Sequence, residues 1–201
     1  MKFLLTGFEP FENSTLNPSQ EVLNKLSTDT LASAEIKTCL LPVETMTAPG
    51  ILLRRIQEVS PDAVICMGQA SGRTSISLEK VAINQLDFRI PDNQGNQVHS
   101  KLIQEFGQDA YFASLPLEFL HERLSEGEIP CEISYTAGTY LCNQVFYTLM
   151  HHIRSNDLSI IGGFIHFPAL PQQIAQAGKN LPSMSLEMDI KAMHLIIQSL
   201  G

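Results

Sequence analysis

Apolar and polar positions along the chain fall into two alternating rhythms. Short apolar runs closed by Gly, Pro or Asp predict strands over residues 2–6, 36–42, 63–67 and 159–166, with a further strand over 132–135. The run at 63–67, between Pro61-Asp62 and Gly68, has no polar side and reads as a strand covered on both faces of a parallel sheet. Residues 75–83 alternate apolar and polar, the pattern of a half-exposed strand. Between these runs, apolar residues recur at helical spacing over 19–26, 47–59, 117–124, 139–153 and 185–200. Asn17-Pro18-Ser19 supplies the cap and first-turn proline that start the first helix. Residues 8–18 and 168–178, rich in Pro and Gly or Asn, read as loops, and 87–107 as a long surface loop or hairpin. Strands that alternate with helices predict one α/β domain over 1–201, three layers deep, with a mixed, largely parallel central sheet. No repeat or low-complexity linker divides it.

Composition narrows the function. A formal charge of −8 and a pI near 5.2 argue against a nucleic-acid partner, which needs a basic stripe to neutralise phosphates. No apolar stretch approaches the length of a membrane span, and the apolar start at Met1 is interrupted by Thr6-Gly7, too early for a signal segment. A cytoplasmic protein without a membrane partner is expected. Cys39, Cys66, Cys131 and Cys142 show no C-x-x-C spacing, so neither a metal site nor a disulfide framework is expected.

Sheets of this kind collect chemistry at strand C-termini and at the helix N-termini that follow. Three segments fit: 68–73, 135–143 and 162–168. Cys142 follows the small-residue turn Ala137-Gly138-Thr139, where backbone N–H groups and the helix dipole favour a thiolate. His166 ends a buried strand and can face the same crevice as a base. Spacing alone leaves two alternatives open, a Cys–His catalytic pair or two buried fillers, because the chain has six histidines to choose from.

Taken together the motifs resemble the pyroglutamyl peptidase I, or pyrrolidone carboxyl peptidase, family of cysteine peptidases. Thr6-Gly7-Phe8-Glu9-Pro10-Phe11 with Asn17-Pro18-Ser19 is similar to its opening loop. Gly68-Gln69-Ala70-x-Gly72-Arg73 followed by Glu79 is similar to its acidic-residue motif, and Arg89-Ile90-Pro91-Asp92-Asn93 to a further stretch. Ser134-x-x-Ala137-Gly138-Thr139-Tyr140-Leu141-Cys142-Asn143 resembles its nucleophile motif, and Gly163-Phe164-Ile165-His166-x-Pro168 its histidine motif. The match runs nearly end to end in one order.

The resemblance implies a triad of Cys142, His166 and Glu79 that removes N-terminal pyroglutamate from peptides through a Cys142 acyl-enzyme, with no cofactor or metal. Glu79, by its residue pattern alone, is an ordinary solvated strand glutamate; the family gives it the task of orienting His166. The resemblance also implies an apolar wall of Phe8, Phe11, Ile90, Tyr140 and Leu141, lactam partners in Asn17 and Gln69, Arg89 near the oxyanion, and a homo-oligomer, tetramer or dimer. Two departures stand out: Glu12-Asn13 and Ser71 occupy places where the family commonly carries glycine. Two rivals remain at this point, a nucleoside-processing enzyme on a related scaffold and a non-catalytic binding protein. The first lacks a P-loop or Rossmann spacing, and the second should have lost a triad member.

Overall fold

The computed structural model describes residues 1–12, 14–28, 34–178 and 180–201, so Asn13 of the Glu12-Asn13 pair lies outside the described residues. Six strands form the central sheet in the order β2-β1-β3-β8-β4-β7: β1 Lys2–Phe8, β2 Glu35–Leu41, β3 Ala63–Gln69, β4 Ile76–Glu79, β7 Cys131–Ser134 and β8 Ile161–Phe167. All neighbours run parallel except β4 against β8, so the sheet is mixed and mostly parallel. A two-stranded ribbon, β5 Val81–Ile83 with β6 Ala110–Phe112, stands beside it.

The pleat divides the core in two. Phe3, Leu5, Ile65, Met67, Ile165 and Phe167 face one side. There they meet α1 Pro18–Leu26, α3 Leu117–Glu126 and α6 Leu186–Leu200. The alternate positions Leu4, Val64, Cys66 and Phe164 face the other side. They meet α2 Ala48–Val59 and α4 Leu141–Ser155. Odd and even residues of the same strands thus belong to different cores, as side chains of period two require. With both faces covered, the central strands carry near-continuous apolar runs.

Two expectations are corrected here. The alternating stretch at 75–83 is not one half-exposed strand. Ile76, Ser77, Leu78 and Glu79 are all buried in β4, and the chain then leaves the sheet to form β5. The alternation is real, but its polar face is turned to a second buried layer rather than to water. Residues 168–178 are not all loop, because Pro171–Ala177 forms helix α5. Its proline occupies the first turn, the Gln173 side chain accepts from the Leu170 N–H at 2.8 Å, and Gly178 closes it with φ +60°. The Pro and Gly read as breakers are in fact the boundaries of a short helix.

The family-glycine positions behave differently from each other. Glu12 adopts φ +54°, a left-handed backbone that costs a residue with a Cβ more than glycine. Ser71 needs no such conformation; its neighbour Gly72, at φ +92°, makes the turn.

Asp189, in the first turns of α6, is fully buried and neither carboxyl oxygen has a hydrogen-bond partner. Burial, with Glu187 adding to it, pushes its pKa from 3.8 up to about 8. The unfolded chain therefore gives up this proton near pH 4 while the folded chain keeps it to about pH 8. Stability falls as pH rises through that window, and the cost is complete above it. Asp189→Asn should melt increasingly higher than wild type between pH 5.5 and pH 8.5. Each pH unit of displaced ionisation is about 1.4 kcal/mol, so a widening of several degrees is expected. A melting-point difference that stays constant across that range would contradict this reading of Asp189.

Candidate active site

A cleft of about 370 Å³ opens at the ends of β3 and β8, lined by Phe11, Gln69, Arg73, Arg89, Ile90, Tyr140, Cys142 and His166 among others. Register explains why these groups meet. Gly68 of β3 pairs with His166 of β8, and Ser77 of β4 pairs with His166 from the other side. Glu79, paired with Phe164, is the diagonal neighbour of His166 on the same face. Its Oε1 lies 2.7 Å from His166 Nδ1, with Glu79 fully buried and His166 nearly so. Fixing Nδ1 on a carboxylate leaves Nε2 as the nitrogen for proton transfer.

Cys142 is the second residue of α4. A Cβ built on Gly68 would stand 2.8 Å from Cys142 Sγ, so the sulfur lies directly over the strand residue that pairs with His166. Neighbouring strands are about 4.8 Å apart, which puts the thiol and the imidazole in adjoining positions over the sheet edge. Asn143 anchors the helix start: its amide accepts from Ile83 N–H at 3.0 Å and donates to the Ile83 and Gln85 carbonyls at 2.9 and 3.0 Å.

The expectation of a thiolate favoured by the helix N-terminus is not met. Burial, and then the Glu79 carboxylate, push the Cys142 thiol up to about 12. Arg73 and the residue's own backbone N–H act in the other direction and are outweighed. Cys142 thus rests as a neutral thiol over the strand residue that pairs with His166. Burial alone would raise Glu79 as well, but the hydrogen bond and charge of His166, then Ser134 and Arg73, hold it below the usual carboxylate range.

The other residues named from the sequence divide. Phe11, Gln69, Arg89, Ile90 and Tyr140 line the cleft. Tyr140 is held by its hydroxyl on the Pro91 carbonyl at 3.0 Å and by an edge contact with Phe88 at 4.6 Å. Phe8, Asn17 and Leu141 do not line it. Phe8 ends β1 and is buried in the core with Leu141. Asn17 caps α1, accepting from the Ser19 N–H and hydroxyl at 3.0 and 2.8 Å, and gives its amide N–H to the Glu9 carbonyl at 3.0 Å. Three of its four hydrogen-bonding positions are taken inside the loop and the residue is 1% exposed, so burial keeps the remaining N–H from a ligand in the cleft. Its loop is tied down elsewhere too: Asn93 donates to Glu9 Oε1 and to the Pro10 carbonyl at 2.8 and 3.0 Å, which sets Phe11 at the cleft.

Sequence reasoning gave no role to Gly68 or to Arg73. The Arg73 guanidinium donates to Glu79 Oε1 at 2.6 Å and to the Thr136 carbonyl at 2.8 Å. No periodicity marks it, because it sits on the irregular turn between β3 and β4. Among the described residues no cluster of His, Cys, Asp and Glu could hold a metal ion.

A thiol over a strand glycine, a histidine beside it and a buried carboxylate behind the histidine define the constellation of a thiol-dependent acyl-transfer enzyme on an α/β sheet. The comparisons with known proteins narrow that class. The family model for pyroglutamyl peptidase matches residues 1–200. The chain is 43% identical to a pyrrolidone-carboxylate peptidase of Coprothermobacter proteolyticus, over 98% of this chain and 95% of that one. A mutant pyrrolidone carboxyl peptidase from the hyperthermophile Pyrococcus furiosus superposes with TM-score 0.95 at 38% identity, covering 98% and 97% of the two chains. The pyroglutamyl peptidase I of Bacillus amyloliquefaciens does so with TM-score 0.94 at 41% identity, covering 98% and 93%. The chain belongs to the pyroglutamyl peptidase family, a family of cysteine-type omega peptidases.

Proposed function

We propose that residues 1–201 form one catalytic unit that hydrolyses the bond after an N-terminal pyroglutamate, with Cys142 as nucleophile, His166 as base and acid, and Glu79 as the carboxylate that orients His166. The observation that carries this reading is the buried Glu79–His166 bond ending in the cleft where Cys142 Sγ lies over Gly68. His166 takes the thiol proton as Sγ attacks the pyroglutamyl carbonyl carbon. The C–N bond then breaks, and His166 returns the proton to the departing amine. Water, deprotonated by the same imidazole, attacks the thioester and releases free pyroglutamate and the thiol. First-turn N–H groups of α4 have no partner within the helix and suit the oxyanion, with Arg89 at the rim.

The lactam needs apolar walls and two polar partners. Phe11, Ile90, Ala137 and Tyr140 supply the walls. Gln69 supplies the polar groups. Its Nε2 donates to Ser71 Oγ at 2.8 Å and its Oε1 accepts from Gln173 at 3.1 Å, which locks the amide in one orientation. One N–H and one lone pair remain for the ring carbonyl and ring N–H. Proline lacks the ring carbonyl and leaves a donor unpaired, a loss of about 1–3 kcal/mol. Pyroglutamyl amides should therefore be turned over about 5- to 150-fold faster than prolyl amides, and glutamyl amides should not be accepted. Fluorogenic amides of the three acids measure this directly, and equal turnover of the prolyl and pyroglutamyl compounds would overturn the pocket assignment.

A cytoplasmic location fits the four free cysteines, and among the described residues no helix is long and apolar enough to cross a membrane. A homo-oligomer, dimer or tetramer, would give cover to exposed aromatic side chains such as Phe106, Phe112 and Tyr135. Light scattering of the purified chain reads its mass.

A further inference from the structure

Two groups share one carboxylate oxygen in the candidate site. Glu79 Oε1 receives both His166 Nδ1 at 2.7 Å and Arg73 Nη1 at 2.6 Å, while Oε2, equally buried, has no hydrogen-bond partner. An Arg facing a carboxylate with both oxygens free would normally take them side by side. Here the guanidinium instead divides itself, one nitrogen on the oxygen that already serves the histidine and the other on the Thr136 carbonyl. Thr136 lies in the turn that leads to Cys142, and its carbonyl also accepts from Ser134 Oγ at 3.2 Å. Ser134 stands opposite Glu79 in the β4–β7 register, so its hydroxyl is on the same face of the sheet as the free oxygen.

We propose that Arg73 is a positioning residue of the reaction: by sharing Oε1 of Glu79 with His166, it weakens the hold of the Glu79–His166 pair on its proton while keeping the carboxylate in the orientation that the histidine needs. The inference rests on the triad reading above. A carboxylate with no other cation beside it would bind the imidazolium tightly, and the site would stay protonated, and idle, to higher pH. An arginine on the same oxygen offsets that attraction without losing the orientation the hydrogen bond gives. The other charged and titratable groups around the cleft are Cys142 from α4, Tyr140 at its cap, Glu12 from the opening loop, and Asp87 and Arg89 from the segment after β5, while Glu132 of β7 accepts from Ser77 Oγ at 3.0 Å beside His166. Arg73 is the one of these cations with an ion pair to Glu79. Its side chain is a quarter exposed, so water weakens its field without cancelling it.

The test is the pH profile of kcat/KM with a pyroglutamyl amide for wild type, Arg73→Gln and Arg73→Lys. Loss of the cation makes every proton on the pair, and on Cys142, harder to remove, so all contributions have one sign. Arg73→Gln should move the acidic limb upward by about half to one pH unit. Arg73→Lys, which keeps the charge and loses the second bond of the fork, should keep the limb in place while lowering the plateau. A purely structural arginine would lower the plateau in both variants and leave the limb unmoved; that result, or an equal shift in Gln and Lys variants, overturns the inference. Failure of the triad reading would look different, since Cys142→Ala and His166→Ala would then retain hydrolysis of the amide.

Discussion

Cys142→Ala should reduce hydrolysis of a pyroglutamyl amide by about 10³-fold or more while leaving the fold and melting temperature close to wild type. The thiol is part of no hydrogen bond that holds elements together, and α4 is fixed by Asn143 and by its apolar face. His166→Ala should be as damaging to activity, because a thiol pushed up to about 12 is no nucleophile at neutral pH without a neighbouring base. The two losses should not add: once either partner is gone, the other has nothing to act with. A double variant much slower than both singles would mean that the two side chains act separately. Cys142→Ser should share the loss, since a hydroxyl in the same burial is still harder to deprotonate.

Gly68→Ala should be nearly as costly, by a different route. The added methyl would lie 2.8 Å from Cys142 Sγ and 3.0 Å from the Phe164 ring, closer than side-chain carbons approach. Phe164 is fully buried and has no room to yield, so the sulfur must turn away from the strand that carries His166. A displacement on the order of 1 Å in a reacting atom costs about 10²-fold in rate, and overpacking of this kind costs about 1–3 kcal/mol of stability. The readout is kcat together with thermal melting. Gly50→Ala is the control: a Cβ there meets nothing within 4 Å, and α2 should gain about 0.5–1 kcal/mol from the better helix former. Wild-type kcat in Gly68→Ala would show that Sγ does not occupy the place described.

The order of strands and helices was legible because buried parallel strands advertise themselves as short apolar runs, and five of the six helices among the described residues by a period near four. What escaped was whatever depends on partners distant in the chain. Glu79 sits on an alternating stretch that a lone sequence assigns to a wet surface; it is dry because β8 and β7 flank it and a helix layer covers the polar face. Asn17 and Phe8 carry motif residues whose task is architectural, capping α1 and filling the core beneath α2 and α4. A motif fixes which residues recur together and is silent about which of them touch a ligand. Arg73 and Gly68 stand in the sequence as motif letters, but what they do to the cleft's geometry depends on a fork of hydrogen bonds and on a missing side chain, and neither has a periodicity to read. The thiolate expectation failed for an energetic reason: the helix end acts in the stated direction, but burial and the negative Glu79 outweigh it.

The central claim is that Cys142 is the nucleophile of a pyroglutamyl-specific site. Alkylation with iodoacetamide, followed by peptide mapping at successive times, tests it most directly. The account predicts that activity falls in step with carboxamidomethylation of Cys142 and that a pyroglutamyl amide slows both equally, while Cys66, fully buried, stays unlabelled. Loss of activity that tracks Cys39 or Cys131 instead, or full activity with Cys142 quantitatively alkylated, would contradict it.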